Sequence, residues 1–546
     1  MKIRAGSAIP AIVAVALAVY ICVTTLVGVF NHFLSIPTQD QWDGVIGFDQ
    51  SIRRGDWKVF WELHVNHRIV IPRLIFLADI RWFGGWSIFT TVVGLCFAAL
   101  TTVVIAARIE LSGARWVVAA AATVGMVFSW CNGDNYTFPF NVQNTGVILF
   151  AIWASAEFTR AGNRSARVRT ALLLAVLAEL CAANGVFVFP VLVLQALILR
   201  RPRKEIVTVV VVGAIAVAAY MYKYVMPVYP VDPEVAQIRF ASLRFALLLA
   251  GSPFIRVVND FNACEVVGAL ALIAGIGACA RTVFGQEVTR YRAFLIGGAA
   301  FCVVSILAAA NGRWVLGLAS AFSGRYVILP LLYYLFTVLL IVDLVKEKTS
   351  LRFIGYAPLV LLLIFAPVQR EAAFKPNLFN ARLAVLGPKI ELDQPNFDNY
   401  VYPTSMHTLY MEFTRYASTE NIGPYSAGWL HDAGVVRYDP LRRDDSLCSG
   451  TFESAIQAES GHQVFGWVAP KKSRQDAVLV VVTDSSGRTI GYGVSGMSRA
   501  DVAQHIAGAP LDAGWSGFTG KADFGPAYAY LDGKFCLLAK VPDFTQ

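Results

Sequence analysis

The side chains that could do chemistry are concentrated between positions 35 and 73. This stretch, SIPTQDQWDGVIGFDQSIRRGDWKVFWELHVNHRIVIPR, directly follows a long apolar run. It combines acids, bases and tryptophans: Asp40, Asp43, Asp49, Asp56, Glu62, His64, His67, Arg53, Arg54, Lys58, Arg68, Arg73, Trp42, Trp57 and Trp61. Such a mixture is typical of a site that holds a sugar, a phosphate and a proton acceptor at a membrane surface. The alternative is an interfacial loop whose Trp and Arg side chains lie among lipid headgroups.

The first candidates for catalysis are the two carboxylates of QDQWD, Asp40 and Asp43. Transfer of a sugar from a lipid phosphate needs one carboxylate as a base toward the acceptor hydroxyl, because phosphate leaves without an acid. Glycoside hydrolysis differs, since two carboxylates flank the bond that is cleaved. The sequence therefore predicts that Asp40 or Asp43 is a general base, and it does not separate the two.

A departing phosphate needs cations, and arginine suits this role because its planar fork binds phosphate through two hydrogen bonds. The candidate phosphate-binding residues are Arg325, Arg68, Arg73, Arg256 and Arg313. The alternative for each arginine is an anchoring role, in which the side chain extends to lipid phosphates.

Aromatic and polar groups near these charges are candidates for substrate binding. Tryptophan faces stack on sugar rings, and histidines and amides bind hydroxyl groups. The predicted substrate-binding residues are Trp42, His64, His67, Asp134, Asn135, Tyr136 and Tyr326. His64, His67 and Asp40 could instead bind a divalent metal, although the His-x-x-His spacing lacks the glutamate of a zincin motif. No metal ligand set and no certain cofactor is predicted.

The elements that position these residues are membrane helices. Of the 546 residues, 56% are hydrophobic and 15% are charged, whereas soluble domains carry about 25% charged residues. Apolar runs long enough to cross a bilayer lie near 8–30, 86–107, 115–131, 143–159, 169–183, 185–200, 205–225, 264–281, 292–310, 326–345 and 353–368. The sequence predicts a polytopic α-helical membrane protein with about eleven spans.

Basic residues recur at alternate loops, which predicts the orientation. Lys2 and Arg4 precede the first span, and arginines and lysines fill the loops near 160–169 and 200–204. The positive-inside rule then places the N-terminus in the cytoplasm and the chain beyond about residue 369 outside. The segments from Arg68 and near 239–258 are punctuated by charges, so we expect helices that lie along the interface. Topology explains the net charge of +9, which therefore does not indicate nucleic-acid binding.

Three regions follow from this pattern. Residues 1–368 form a transmembrane domain, whose 35–82 stretch is the first outer loop. Residues 369–445 are a connecting region of short helical patterns and loops, and residues 446–546 alternate like an antiparallel β-sandwich. Cys448 and Cys536 lie in this last region, and in an oxidising outer compartment we expect them to form a disulfide.

The acidic motif QDQWD in a long first outer loop, with interfacial helices there and SGRY opening a late span, resembles the GT-C superfamily of integral-membrane glycosyltransferases. The resemblance covers roughly residues 1–368. It implies a polyprenyl-phosphate sugar donor, an aspartate base at Asp40 or Asp43, and contact of Arg325 with the lipid phosphate. It also implies that residues 446–546 are similar to a carbohydrate-binding module. Metal-dependent relatives carry a further acidic pair, for which only Asp134, Asp260 and Glu265 are available here.

The predicted function is that of an inverting glycosyltransferase on the outer face of a bacterial inner membrane. Its partners would be a polyprenyl-phosphate sugar, a glycan or cell-envelope acceptor and membrane lipids. The alternatives are a transporter or flippase, and a polymerase or ligase of lipid-linked glycans. A transporter would place ionisable groups at mid-bilayer depth, whereas the polar groups here lie at the predicted outer ends of the spans. A non-enzymatic sugar-sensing protein would leave the dense 35–73 stretch unexplained.

Overall fold

The computed structural model describes residues 5–226, 229–285, 288–345, 349–471 and 477–545. Lys2 and Arg4, which the charge pattern assigns to the cytoplasmic side, lie outside these residues. The chain divides into two compact units. The helical unit comprises Met1–Phe33, Phe60–Ile75 and Thr90–Lys375, and the barrel unit comprises Leu34–Val59, Phe76–Phe89 and Pro376–Gln546.

Most of the described chain is helical. The α-helices are α1 (Ala5–His32), α2 (Phe48–Arg53), α3 (Val70–Phe83), α4 (Ile88–Ala106), α5 (Gly113–Val127), α6 (Asp134–Thr137), α7 (Val142–Thr159), α8 (Arg164–Glu179), α9 (Val188–Ile198), α10 (Arg203–Met221), α11 (Pro233–Ala236), α12 (Ala241–Gly251), α13 (Ile255–Val258), α14 (Phe261–Gly285), α15 (Arg290–Arg313), α16 (Ile328–Val345), α17 (Ala357–Phe365), α18 (Phe379–Lys389), α19 (His407–Thr419), α20 (Trp429–Asp432) and α21 (Ala500–His505).

Polar residues mark where several helices begin. The Asn163 side chain accepts a hydrogen bond from the Ala166 N–H at the start of α8. The Thr289 side chain accepts one from the Arg292 N–H at the start of α15. Each cap satisfies a backbone donor that has no partner within the first turn of the helix.

Nine helical stretches of the described chain are long and apolar enough to cross a membrane: Ala8–His32, Ile88–Ala106, Gly113–Asn132, Arg203–Met221, Ala241–Val258, Phe261–Gly285, Arg290–Leu316, Gly324–Val345 and Phe353–Ala373. Ala183–Ile198 is apolar but shorter. A hydrocarbon core of about 30 Å needs about 20 helical residues. These helices are consistent with a multi-pass membrane protein.

The nine stretches differ from the eleven predicted spans. The predicted spans near 143–159, 169–183 and 185–200 correspond to α7, α8 and α9. These three helices are shorter or more polar than the nine stretches. Conversely, the 239–258 run was predicted to lie along the interface, but Ala241–Val258 is long and apolar enough to cross. Its charged residues, Arg244 and Arg256, stand near its two ends, so the stretch between them is continuously apolar.

Helices of the helical unit approach one another closely where glycines face a neighbour. A Cβ atom at Gly251 of α12 would collide with the backbone oxygen of Cys264, and one at Gly268 of α14 with that of Leu247. Small residues at such crossings let two backbones pack directly. Large apolar side chains, including Phe245, Phe294 and Phe336, fill the remaining core.

The barrel unit contains seven strands: β1 (Cys448–Gln457), β2 (His462–Pro470), β3 (Leu479–Thr483), β4 (Thr489–Met497), β5 (Gly514–Thr519), β6 (Ala527–Leu531) and β7 (Lys534–Thr545). They pair in the closed order β1-β2-β5-β4-β3-β6-β7. The predicted antiparallel sandwich is therefore wrong: the strands close into a single barrel, and β1 and β7 pair in parallel. The alternation of apolar and polar residues predicts strands but not their order in the sheet. Because the barrel is closed, neither β1 nor β7 has a free edge.

Cys448 of β1 and Cys536 of β7 form the predicted disulfide, with Cα atoms 6.0 Å apart. The barrel interior is filled by residues such as Phe452 and Trp515. On the outside of the sheet, α18 contributes Phe379 to a core that also contains Tyr492. Part of the 369–445 region therefore shares a core with the strands.

Candidate functional site

The acidic pair of the barrel unit lies at the start of a π-helix. Asp40 is in the turn before it, and Asp43 is on the π-helix Trp42–Gly47 itself. The Gly44 N–H donates to the Asp40 carbonyl at 2.9 Å, and a Cβ atom at Gly47 would lie 2.8 Å from the Phe413 ring. π-helical turns are rare and occur often at functional sites. The wider turn changes which side chains are neighbours along the helix.

Both carboxylates act on one phenol, that of Tyr402. Burial raises the pKa of Tyr402, and the charges of Asp43 and Asp40 and a hydrogen bond to Asp43 raise it further. The phenol is 4% exposed and keeps its proton, so its hydroxyl donates to the Asp43 carboxylate. In the described part of the chain, no donor is hydrogen-bonded to the Asp40 carboxylate.

Backbone and ring contacts hold this arrangement in place. The Gln39 N–H donates to the Val401 carbonyl at 2.6 Å, directly beside Tyr402. The Trp42 ring is fully buried and meets the Tyr410 ring edge-on at 4.9 Å between centroids. In this conformation Trp42 has no exposed face for a sugar, and its indole belongs to the core around the acidic pair.

Asp49 is the third acid of the same stretch, and its side chain is enclosed by other residues of the protein. Its carboxylate is fully buried and pairs with Arg53 at 3.1 Å and with Arg81 at 2.8 Å. The Tyr416 hydroxyl donates to it at 2.7 Å. The two ion pairs and the phenol hold this buried carboxylate, so Asp49 stabilises the fold rather than offering a base.

The helical unit brings several of its predicted site residues together around His67. His64 and His67 close a tight turn through two backbone hydrogen bonds, of 2.8 and 2.9 Å. Val65 within this turn has φ 54°, a left-handed conformation that is strained for a β-branched residue. The His64 ring packs against the Phe140 ring at 4.8 Å between centroids.

His67 is neutral in the folded protein. Burial lowers its pKa to about 3, and the positive charges of Arg313, His64 and Arg325 act in the same direction. The Ala183 N–H donates to the Nδ1 atom of His67 at 3.1 Å. Nδ1 is therefore an acceptor, so the single proton of the ring is on Nε2, which is left as a donor.

Arg313 and Arg325 supply positive charge near this ring. Arg313 makes long hydrogen bonds of 3.4 Å to the Asn66 amide oxygen and the Tyr229 hydroxyl, and its guanidinium lies over the Tyr229 ring. The Arg325 guanidinium lies 5.2 Å from the Tyr326 ring centroid, and its Nε is buried without a hydrogen-bond partner. Among the residues that the structure describes, neither arginine pairs with a carboxylate. We call His67, Arg313 and Arg325 the cation cluster.

The three other predicted phosphate-binding arginines have partners within the protein. Arg68 is 3% exposed, and its guanidinium donates to the carbonyls of Trp61, Tyr220 and Tyr222. Arg73 is equally buried and donates to the carbonyl of Glu62 at 2.6 Å. Arg256 forms an ion pair with Glu371.

The second predicted loop lies beside Arg325. The Asn135 amide donates to the Arg325 carbonyl at 3.1 Å, and the Asp134 carboxylate lies against Gly324, where a Cβ atom would collide with it. Asp134 is exposed and remains available to a ligand. Tyr136 is 2% exposed, and its hydroxyl donates to the Val127 carbonyl at 2.6 Å, so it holds the loop from within.

Two residues were missed by the sequence analysis. Tyr402 lies far along the chain from the acidic pair and has no motif of its own. Glu179, at the end of α8, is 3% exposed, and its Oε1 atom has no hydrogen-bond partner among the described residues. An acid within an apolar run is a signal that could have identified Glu179.

Within the described ranges, no group of three or more His, Cys, Asp or Glu side chains is placed to hold a metal ion. His64, His67 and Asp40 do not form such a group. The sequence matches no family model and no curated protein. These comparisons do not identify the chain as a GT-C glycosyltransferase.

Proposed function

We propose that the protein is an inverting glycosyltransferase that takes a sugar from a polyprenyl phosphate and transfers it to a glycan or cell-envelope acceptor. The observation that carries this proposal is the cation cluster. Arg313 and Arg325 have no carboxylate partner in the described part of the chain, and their charges help to keep His67 neutral. Two uncompensated guanidinium groups beside an Nε2–H donor favour an anion as ligand.

A lipid-linked phosphate suits this cluster better than a free anion does. Arg313 lies at the end of α15, and Arg325 precedes α16. Both helices belong to stretches that are long and apolar enough to cross a membrane. A phosphate bound there would have its lipid tail at the ends of these apolar helices.

The proposed base is Asp40 or Asp43, which would take the proton of the acceptor hydroxyl as that oxygen attacks the anomeric carbon. The bond from that carbon to the phosphate oxygen breaks, and the phosphate leaves as an anion that the arginines stabilise. Single displacement inverts the anomeric configuration. We place the reaction on the outer face of a bacterial inner membrane, as the pattern of basic loops suggests.

The test is transfer of radiolabelled sugar from polyprenyl-phosphate donors in membranes, with variants at matched expression. We expect transfer by the wild type, loss of several orders of magnitude in either Asp40→Asn or Asp43→Asn, and loss of donor binding when Arg313→Gln and Arg325→Gln are combined. Full transfer by both aspartate variants would exclude the acidic pair as the base. A wild type that transfers sugar from no donor would overturn the proposal and favour transport of a lipid-linked substrate.

A further inference from the structure

We propose that Tyr402 is a positioning residue of the acidic pair: its hydroxyl holds the Asp43 carboxylate, which leaves Asp40 as the catalytic residue that contacts the acceptor. This inference rests on the proposed function. It extends that function by a residue from the 369–445 region, where the sequence shows no catalytic motif.

The two acids have different environments. Asp43 is on the π-helix and accepts a hydrogen bond from Tyr402. Asp40 is half-buried in the turn that precedes the π-helix, and among the described residues its carboxylate accepts no hydrogen bond. A base must take a proton from substrate, so a carboxylate with free lone pairs is better suited than one that already accepts a hydrogen bond.

The Tyr402 side chain is rigidly held. Its side chain is 4% exposed, its ring lies 6.2 Å from the Tyr410 ring, and the neighbouring Val401 carbonyl is tied to Gln39 at 2.6 Å. The phenol is therefore fixed relative to the turn that carries Asp40. A fixed donor of this kind orients a carboxylate without itself touching the substrate.

The two acids act unequally on the phenol. The titratable groups that act on Tyr402 are Asp43 and Asp40, but only Asp43 is hydrogen-bonded to it. The phenol therefore orients Asp43 and leaves the lone pairs of Asp40 to the acceptor hydroxyl.

The experiment compares Tyr402→Phe with Tyr410→Phe in the full-length protein, using the transfer assay. Tyr410 is a matched control because it is a buried tyrosine of the same core, but its hydroxyl donates to the Ala384 carbonyl at 2.8 Å. We expect Tyr402→Phe to lower kcat by about tenfold or more, the effect of losing a hydrogen bond to a charged group. The KM for the donor should stay unchanged, because we assign the donor phosphate to the cation cluster and not to Tyr402.

A double substitution distinguishes positioning from a structural role. Tyr410→Phe should retain the wild-type kcat. In an Asp43→Asn background, Tyr402→Phe should add no further loss, and Asp40→Asn should be more damaging than Asp43→Asn.

Several results would overturn the inference: a wild-type kcat in Tyr402→Phe, the same loss in Tyr410→Phe, additive losses with Asp43→Asn, or greater damage from Asp43→Asn than from Asp40→Asn. If Tyr402→Phe does not fold, the infrared C–O band of deuterated tyrosine gives the same test, since Asp43→Asn should shift it. An unshifted band would exclude the hydrogen bond. A wild type without transfer activity overturns the proposed function itself. An active wild type whose Tyr402→Phe variant keeps the wild-type kcat overturns only the positioning role.

Discussion

The backbone N–H of Ala183 donates a hydrogen bond to the Nδ1 atom of His67 at 3.1 Å. This contact fixes the neutral ring with its proton on Nε2. The charges of Arg313 and Arg325 disfavour a third cation beside them. His67 therefore contributes a donor to the cation cluster without changing its charge at neutral pH.

The depressed pKa of His67 predicts a specific acid sensitivity. In the unfolded chain His67 has a pKa of about 6.5, and in the folded protein its pKa is about 3. Between these two pH values the unfolded state binds more protons than the folded state. The contribution of His67 to the free energy of unfolding is therefore fully present above about pH 6.5 and is lost as the pH is lowered toward 3. At pH 5 the loss should be about 2 kcal/mol.

His67→Gln should remove this part of the acid sensitivity, because the glutamine amide oxygen can still accept the Ala183 N–H but does not titrate. The measurement is the free energy of unfolding in detergent at pH 7.5 and pH 5. The control is His505→Gln, at an exposed position of α21, which should keep the wild-type sensitivity. An unchanged pH dependence in His67→Gln would show that the ring protonates in the folded protein.

The sequence predicts that both Arg325 and Arg256 bind phosphate. From the structure we expect their substitution to have different effects on the donor KM. Arg325→Lys keeps the charge but loses the fork that binds two phosphate oxygens, so the donor KM should rise by about tenfold or more. Arg256 is paired with Glu371, and Arg256→Lys should change the donor KM by less than about twofold. Equal effects of the two substitutions would contradict the assignment of the phosphate to the cation cluster.

The sequence identified the acidic pair because QDQWD stands out by residue type directly after an apolar run. It did not reveal that Asp43 is on a π-helix, because helix type depends on packing of the segment, including Gly47 against Phe413. The partner Tyr402 was missed for a similar reason. A contact between residues so far apart in the chain leaves no local pattern.

The arginines show a different limit of sequence reasoning. A guanidinium group binds backbone carbonyls as readily as phosphate, so residue type could not separate Arg68, which is held by three carbonyls, from Arg325. Most of the long apolar runs in the sequence correspond to helical stretches that are long and apolar enough to cross a membrane. The prediction that the 239–258 run lies along the interface rested on its arginines, although Ala241–Val258 is also long and apolar enough to cross.

The disulfide between Cys448 and Cys536 should be a major determinant of barrel stability. It closes a loop of 88 residues, and restricting such a loop in the unfolded chain contributes about 4.6 kcal/mol in the chain-entropy model. Cys448→Ser combined with Cys536→Ser should lower the free energy of unfolding of the barrel by this amount, measured by pulse proteolysis of the full-length protein. Cys96→Ser, at an exposed free cysteine, should have no effect, and equal stability of the double variant and the wild type would contradict the prediction.

Asp49 and Asp40 belong to the same stretch, and their substitution should have opposite consequences for stability and activity. The Asp49 carboxylate is buried and pairs with Arg53 and Arg81. Asp49→Asn takes the carboxylate away from Arg81 and leaves Arg53 with Glu420 as its acidic partner. Because both arginines are partly exposed, we expect a loss of about 3 kcal/mol in the free energy of unfolding. Asp40 has no such partners among the described residues, so Asp40→Asn should leave stability within about 0.5 kcal/mol of the wild type.

The activity of the folded fraction should show the reverse order. Asp40→Asn should abolish sugar transfer although the protein is folded, and Asp49→Asn should retain transfer per folded molecule at a temperature well below its unfolding midpoint. Thermal unfolding in detergent and the transfer assay on the same preparations measure both quantities. Loss of transfer in a folded Asp49→Asn protein would mean that this buried acid has a role in the reaction beyond holding the loop. An unstable Asp40→Asn protein would mean that the turn before the π-helix depends on the Asp40 charge for its structure.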